Sequence, residues 1–327
     1  MKAFITRKLP EQALTVARTA AEIDIWPGEG PPPRAALAER IADCEGLLCL
    51  LTDRIDDELL RQAPRLRVVS QMAVGYDNID VEACTRRGVA VGNTPGVLTE
   101  TTADLAFGLL LMTARRLGEA ENWLRAGKWK TWSPMELTGP DVHHATLGIV
   151  GMGRIGMEMA RRAAGFQMRL LYHNRSRNDA AEREFGAEWA PLDALLERSD
   201  FVSLHTPLSP ETRHLIGRRE LQKMKPTAIL INTARGAVVD QAALTEALRE
   251  RRIAAAGLDV FETEPISPDD PLLSLDNVVV LPHVGSASIA TRTKMAVLAA
   301  ENLAAGLRGL ALPHPVNPEV GPSSRQV

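Results

Sequence analysis

Short apolar runs alternate along the chain with longer segments in which apolar positions recur at helical spacing, the pattern of strand–helix units built around a parallel sheet. The fold class that follows is α/β. In the first third, strands are expected at residues 2–5, 46–51, 67–71 and 89–91, each followed by turn residues and then helix-like sequence. Residues 26–33, Trp-Pro-Gly-Glu-Gly-Pro-Pro-Pro, read as a loop, because fixed proline dihedrals and permissive glycines prevent regular structure. After Thr94-Pro95-Gly96 a helical stretch opens at Thr99 and runs through Met112, apolar on most faces and therefore expected to be buried as a bridge between two domains. Six further strands are expected at 146–150, 168–172, 201–204, 228–232, 253–258 and 278–281. A second long helical pattern covers 288–307, and the tail Leu312-Pro313-His314-Pro315-Val316-Asn317-Pro318 is too short to fold alone and is expected to return to the first domain. The expected division is a discontinuous domain of residues 1–100 plus 288–327, interrupted by a continuous one of residues 101–287. A cleft between two such domains is the natural place for a ligand.

The length of 327 residues agrees with about two domains at roughly 150 residues each. The charges nearly cancel, 38 Lys+Arg against 41 Asp+Glu, so no global basic field exists to hold nucleic acid or an anionic membrane. Cys44, Cys49 and Cys84 are odd in number and lack a Cys-x-x-Cys spacing, which argues against a disulfide framework or zinc site and suits a reducing compartment. They read as buried or semi-buried thiols. The start Met-Lys-Ala-Phe-Ile-Thr-Arg-Lys carries charges where a signal peptide needs an apolar stretch, and no window approaches 18 apolar residues. The expected location is the cytoplasm.

Directly after the first strand of the inserted domain comes Gly151-Met152-Gly153-Arg154-Ile155-Gly156, followed by helix-like sequence. Gly151 would permit a tight turn, Gly153 close approach of backbone to a pyrophosphate, and Gly156 close packing of helix on sheet, with the anion at the positive helix N-terminus. Six strands complete a doubly wound dinucleotide-binding sheet. A carboxylate about 20 residues past the first glycine would bond the ribose hydroxyls of NAD and repel an added phosphate. That carboxylate is missing: His173-Asn174-Arg175-Ser176-Arg177 precede the first acid, Asp179. Cations and a hydroxyl stand where the 2′-phosphate of NADP would lie, so NADPH/NADP is expected to be preferred, with NADH/NAD as the alternative. A solvated basic turn tolerating either cofactor is the competing explanation.

Three polar residues follow successive strands in the second half of this sheet, where ligands of open α/β sheets bind: Arg235, Glu264 and His283. A substrate with a carboxylate beside a carbonyl needs a planar cation to fix the carboxylate, which suits Arg235. The developing alkoxide needs a proton, which an imidazole beside a carboxylate can deliver; His283 would be the acid and Glu264 its partner. In the reverse direction His283 would be the base. Each residue alone also has a structural explanation, as a loop cap, a solvated turn acid or a backbone-bonded imidazole. His205 is the rival acid, but its strand is expected on the adenosine side, so the loop His205-Thr206-Pro207 is assigned to cofactor contact. His143, His144, His173, His214 and His314 read as solvated.

At this point the residues carry a resemblance. Over nearly its whole length the chain resembles the D-isomer-specific 2-hydroxyacid dehydrogenases, through Val74-Gly75-Tyr76-Asp77-Asn78-Ile79-Asp80, Asn93-Thr94-Pro95-Gly96, residues 148–156, Ile231-Asn232-Thr233-Ala234-Arg235-Gly236, Gly257-Leu258-Asp259-Val260-Phe261-Glu262-Thr263-Glu264-Pro265 and Leu281-Pro282-His283-Val284-Gly285-Ser286. The resemblance implies two doubly wound parallel-sheet domains, a Rossmann-type nucleotide-binding domain inserted into a flavodoxin-like substrate domain. It implies Arg235, Glu264 and His283 as the catalytic set, and backbone amides of Val74 and Gly75 on the substrate carboxylate. It further implies Thr206, Thr233, Asp259 and Gly285 at the cofactor and Ser286 in the substrate pocket. Asn174-Arg175-Ser176 is similar to the loop of the NADPH-using glyoxylate and hydroxypyruvate reductases and departs from the acidic loop of the D-lactate and phosphoglycerate enzymes. Trp129-Lys130-Thr131-Trp132 also resembles these reductases, implying a homodimer in which Trp132 either reaches toward the partner's active site or packs plainly in the interface.

The expected function is hydride transfer from NADPH to glyoxylate or hydroxypyruvate, giving glycolate or D-glycerate. A phosphoglycerate dehydrogenase-like NAD enzyme is a second reading, disfavoured by the ribose loop and by the absence of room for a regulatory domain. A third, of another class, is a dinucleotide-sensing binding protein like the co-repressors that resemble this family. The expected partner is a small 2-oxo acid, with neither nucleic acid nor membrane.

Overall fold

In the computed structural model, which describes residues 1–321, the chain separates into two compact units. The first joins Met1–Leu98 to the segment from Ala287 onward, and the second is Thr99–Ser286.

Unit 1 runs β1 (Lys2–Ile5), α1 (Glu11–Arg18), β2 (Glu22–Ile25), α2 (Arg34–Ile41), β3 (Gly46–Cys49), α3 (Asp57–Arg61), β4 (Val68–Gln71), α4 (Val81–Arg86) and β5 (Ala90–Gly92). All pairings are parallel and the order is β2-β1-β3-β4-β5, the flavodoxin-like arrangement. Both faces of the sheet are covered, so its strands are apolar on consecutive positions and sort side chains by the two-residue period. Phe4, Leu47 and Val69 enter one core, while Ala3, Ile5, Leu48 and Val68 enter the other. Strand β2 is absent from the expectations above. It is a half-exposed edge strand, Glu-Ile-Asp-Ile, whose acids mask a four-residue signal.

Unit 2 opens with α5 (Thr99–Ala114) and α6 (Leu117–Arg125). It continues β6 (Thr146–Val150), α7 (Arg154–Gly165), β7 (Arg169–His173), α8 (Asp179–Phe185), β8 (Glu188–Trp189), α9 (Leu192–Arg198), β9 (Phe201–Leu204), α10 (Arg218–Lys223), β10 (Ile229–Asn232), α11 (Gln241–Arg249), β11 (Ala255–Leu258) and β12 (Val278–Val280). The sheet is parallel throughout in the order β12-β11-β10-β9-β6-β7-β8. Strand order reverses between β6 and β9, and the carboxyl ends there form the ligand-binding end of such a sheet. Seven strands replace the expected six, because two-residue β8 on the edge carries too little pattern to register. That omission displaced β9. It pairs with β6 on the side away from β7 and so belongs to the second half of the sheet, not to the adenosine side.

α12 (Ile289–Leu307) returns to unit 1 and packs on β3, β4 and α1. Its start is capped by Ser288, whose Oγ accepts the Thr291 amide at 3.1 Å. The tail then pairs along the edge of β5: the Val316 amide donates to Val91 O at 2.7 Å, and buried Asn317 accepts from the Val91 amide at 2.7 Å.

Candidate active site

The turn after β6 has three glycines in three different situations. Gly151 has φ +99°, and a Cβ there would lie 2.7 Å from the backbone carbon of His205. A Cβ on Gly156 would lie 2.3 Å from Gly151 O, so this glycine lets α7 close onto the turn. Gly153 faces open space, with nothing within 4 Å of a Cβ position. It is also the N-cap of α7 and offers no side chain to the first-turn amides of Arg154, Ile155 and Gly156. Helix dipole and unpartnered donors thus converge where an anion can approach.

The ribose loop is fastened to this turn. Asn174 Oδ1 accepts the Met152 amide at 2.7 Å, and Asn178 Nδ2 donates to Met152 O at 2.9 Å. The Asn174 side chain is therefore a brace for the glycine turn. Arg177 is held by Glu182 through two contacts of 2.9 Å, and Glu182 also accepts from the Tyr172 hydroxyl at 2.6 Å. Arg175 and Ser176 are exposed. Of the two guanidinium groups in the loop, Arg175 is the one without an ion pair among the described residues.

At the carboxyl ends of β9 and β10, the hydroxyls of Thr206 and Thr233 are buried with no hydrogen-bond partner among the described residues. An unsatisfied buried hydroxyl costs about 1–3 kcal/mol, which an arriving polar group relieves. Pro207 is exposed beside them. His205 forms a 2.9 Å contact with Ser203 Oγ, and burial pushes its imidazole down to about 4. That direction disfavours a charged imidazole at neutral pH and so speaks against His205 as the proton donor, although its strand lies on the half of the sheet that carries the other candidates.

The loop after β10 is set by Asn232, nearly inaccessible, which accepts from the Ala234 amide at 3.0 Å and donates to Arg235 O at 2.9 Å. Half-buried Arg235 follows. Gly236 then lies against the next loop, since a Cβ would fall 1.8 Å from the backbone carbon of Phe261. Across that contact, Glu264 Oε1 accepts the Phe261 amide at 3.0 Å and Oε2 meets His283 Nδ1 at 2.7 Å. Burial alone would lift the Glu264 carboxyl. The His283 hydrogen bond and charge, the Phe261 amide and the Arg235 charge outweigh it and hold the group below the usual carboxylate range. An ionised carboxylate only accepts, so Nδ1 of His283 carries a proton and Nε2 is left to act. Both side chains are about one-third exposed, 31% and 32%.

His283 is itself in the left-handed region at φ +53°, and its amide donates to Asp259 O at 2.9 Å. Fully buried Asp259 accepts the amides of Val284 and Gly285, each at 2.8 Å. Burial raises its carboxyl above the usual value, partly offset by those two amides. Asp259 is thus a clamp on the His283 loop, with lone pairs remaining for a further contact. Ser286 is half-buried just beyond the clamp.

In unit 1, Val74 and Gly75 follow β4 and are half-buried. Trp132, in unit 2, is 76% exposed on an irregular segment. The five other histidines are not uniformly solvated. His143 and His144 are exposed, but exposed His214 pairs with Glu262. His173 is half-buried with its ring on Ala190 O at 3.0 Å, and His314 is also half-buried. All three cysteines are buried and unpaired, and among the described residues no group of His, Cys, Asp and Glu is arranged to hold a metal ion.

Residues 107–285 match the model of the D-isomer specific 2-hydroxyacid dehydrogenase NAD binding domain. The chain belongs to that dehydrogenase family. A glyoxylate reductase of Korarchaeum cryptofilum is 57% identical over 320 residues, covering 98% of this chain and 96% of the relative. A crystal structure of a Thermus thermophilus protein is 46% identical with a TM-score of 0.91, covering 97% of this chain and 100% of that one. The NADPH-dependent glyoxylate/hydroxypyruvate reductase of Sinorhizobium meliloti, solved with NADP and malonate, is 35% identical with a TM-score of 0.85, covering 97% of each chain. The chain therefore carries the family's NAD-binding domain, and its glycine turn and two threonine hydroxyls without partners among the described residues suit a dinucleotide.

Several supporting groups in unit 2 lie outside the candidate site residues expected from the sequence. Asn232 and Gly236 shape the Arg235 loop, and Asn178 and Trp189 brace the ribose loop, the indole donating to Asn174 O at 3.2 Å. The usable signal was polarity out of place: an asparagine ending a fully buried strand needs partners for its amide.

Proposed function

We propose that the protein is an NADPH-dependent reductase that converts glyoxylate to glycolate, or hydroxypyruvate to D-glycerate, and works as a homodimer. The observation that carries the reaction is the 2.7 Å contact between His283 Nδ1 and Glu264, which follow β12 and β11 of the same parallel sheet whose β6 leads into the glycine turn. A bound nicotinamide supplies the hydride for the carbonyl carbon. Glu264 fixes the ring and tautomer of His283, whose Nε2 delivers a proton to the carbonyl oxygen as negative charge develops there. Arg235 holds the substrate carboxylate through paired donors and polarises the neighbouring carbonyl. Val74 and Gly75 offer amides to the carboxylate, and Ser286 lines the pocket. In the oxidative direction His283 accepts the hydroxyl proton.

The dinucleotide is held by Gly151, Gly153 and Gly156, the α7 amides of Arg154 and Ile155, and by Thr206, Pro207, Thr233, Asp259 and Gly285. Preference for NADPH rests on Arg175 and Ser176, in a loop without an acid before Asp179 and with Arg177 already taken by Glu182. The Sinorhizobium relative, named as NADPH-dependent, supports this reading. A homodimer is supported by α6, which has no buried residue and exposes Leu117 and Leu124, and by exposed Trp129 and Trp132. A groove of about 670 Å³ between α6 and edge strand β12 adds to this surface. A cytoplasmic setting suits three free thiols.

The test is loss of NADPH absorbance across a panel of 2-oxo acids, repeated with NADH. Turnover of glyoxylate or hydroxypyruvate with a preference for NADPH is expected. Silence across the panel would favour the sensor reading, and a preference for NADH would remove the role of Arg175. Sedimentation at working concentration should give twice the monomer mass; a monomer would refute the assembly.

A further inference from the structure

The loop after β4 has its carbonyl groups turned inward one after another. Ala73 O accepts the Thr94 amide at 2.9 Å, Val74 O accepts Asn93 Nδ2 at 2.8 Å, and Gly75 O accepts Gln71 Nε2 at 3.3 Å. A trans peptide directs its N–H opposite to its C=O. The amides of Val74, Gly75 and Tyr76 therefore point away from those three donors, and successive amides presented this way form an anion-binding nest. The donors are themselves anchored. Fully buried Gln71 also donates to Asn78 Oδ1 at 2.7 Å, and Asn78 donates to Asp53 O at 2.8 Å and Leu50 O at 3.1 Å. Behind Asn93, fully buried Asn302 of α12 donates to Asn93 O at 2.9 Å and accepts the His314 amide at 3.0 Å. The Asn93 amide in turn donates to His314 O at 3.2 Å.

We propose that Asn93 is a positioning residue for substrate binding: by holding the Val74 carbonyl inward from a backbone locked by Asn302 and the 312–317 tail, it aims the Gly75 amide at the substrate carboxylate. Gln71 does the same for the Tyr76 amide one peptide later. The role rests on the reading of the chain as a 2-oxo acid reductase. It assigns the C-terminal tail a part in substrate affinity, because the tail and α12 fix the residue that fixes the nest. Asn93 acts within unit 1, whereas the glycine turn belongs to unit 2, so its effect is confined to one of the two ligands.

The experiment compares the wild type with Asn93→Ala, measuring kcat and KM for glyoxylate, the NADPH dissociation constant by fluorescence and the melting temperature. A rise of about tenfold or more in KM for glyoxylate is expected, with kcat changed less than about threefold and NADPH binding unchanged. An unchanged KM, or a loss of kcat and NADPH affinity in parallel with KM, overturns the proposal. If Asn93→Ala does not fold, hydrogen exchange in the wild type decides. Oxamate, a carboxylate analogue, should protect the amides of residues 74–76, and absence of protection overturns the proposal. Failure of the underlying function is separate, because the wild type would then turn over no 2-oxo acid at all.

Discussion

Replacing Glu264 by glutamine isolates the charge of the carboxylate from its shape. The amide oxygen of Glu264→Gln can still accept the Nδ1 proton of His283, so ring orientation survives and only the ionic part of the 2.7 Å contact is lost. Two unit charges about 4 Å apart interact by roughly 4 kcal/mol at an effective dielectric near 20. Exposure of one-third on each side chain, 31% and 32%, brings solvent screening, and a charge-assisted hydrogen bond nets about 1.5–3 kcal/mol. The lower end, about 1.5–2 kcal/mol, corresponds to roughly a 10- to 30-fold fall in kcat/KM for glyoxylate reduction. The sign with pH follows from the direction of the Glu264 shift. Its folded carboxyl lies below the ordinary range, so its contribution is complete above that range and is lost only as pH falls through the lowered value. The wild type therefore keeps the carboxylate charged through neutral pH. In Glu264→Gln the fall in reductive kcat/KM should persist across neutral pH, because the imidazole has lost its counter-charge. Oxidation of glycolate at alkaline pH, where the base form is required, should fall less. Profiles of wild type and variant that superimpose in both position and height would refute the assigned roles.

Arg175→Ala should raise KM for NADPH about tenfold, as expected for one exposed guanidinium–phosphate contact, and leave KM for NADH unchanged; equal effects on both cofactors would count against the assignment. Gly156→Ala should destabilise the fold by about 2–3 kcal/mol through backbone collision, read as a lowered Tm. Gly153→Ala, facing open space, should keep its Tm but weaken dinucleotide binding at least tenfold; unchanged binding in Gly153→Ala would argue against a pyrophosphate there. Burial pushes Cys44 up to about 11 and Cys84 up to about 12, so on the order of 10⁻³ or less of either is thiolate at pH 8. A disulfide reagent should label the native protein slowly and all three thiols rapidly in denaturant; fast native labelling would contradict the burial.

The sequence made the alternation of strands and helices legible because parallel strands covered on both faces read as nearly continuous apolar runs. It failed at β2 and β8, where an edge strand is half-exposed or two residues long, and the missed β8 put β9 on the wrong side of the sheet. The glycine turn was readable residue by residue, since φ +99° at Gly151 and the collision at Gly156 are demands on the amino acid itself. Contacts made through backbone amides were not. Nothing in the spelling of Asp259 says that its oxygens hold Val284 and Gly285, and nothing in Asn174 says that it braces Met152 instead of facing outward. The protonation of His205 was likewise invisible, because it depends on desolvation by neighbours brought in from other strands.

The double brace on Met152 restricts how coenzyme choice can be re-engineered. Replacing residues 174–178 as a block would remove Asn174 and Asn178 together with Arg175, loosening the glycine turn at the same time as the charge of the loop is changed. A redesign confined to Arg175 and Ser176 leaves both struts standing, so the proposed coenzyme preference can be tested without dismantling the glycine turn.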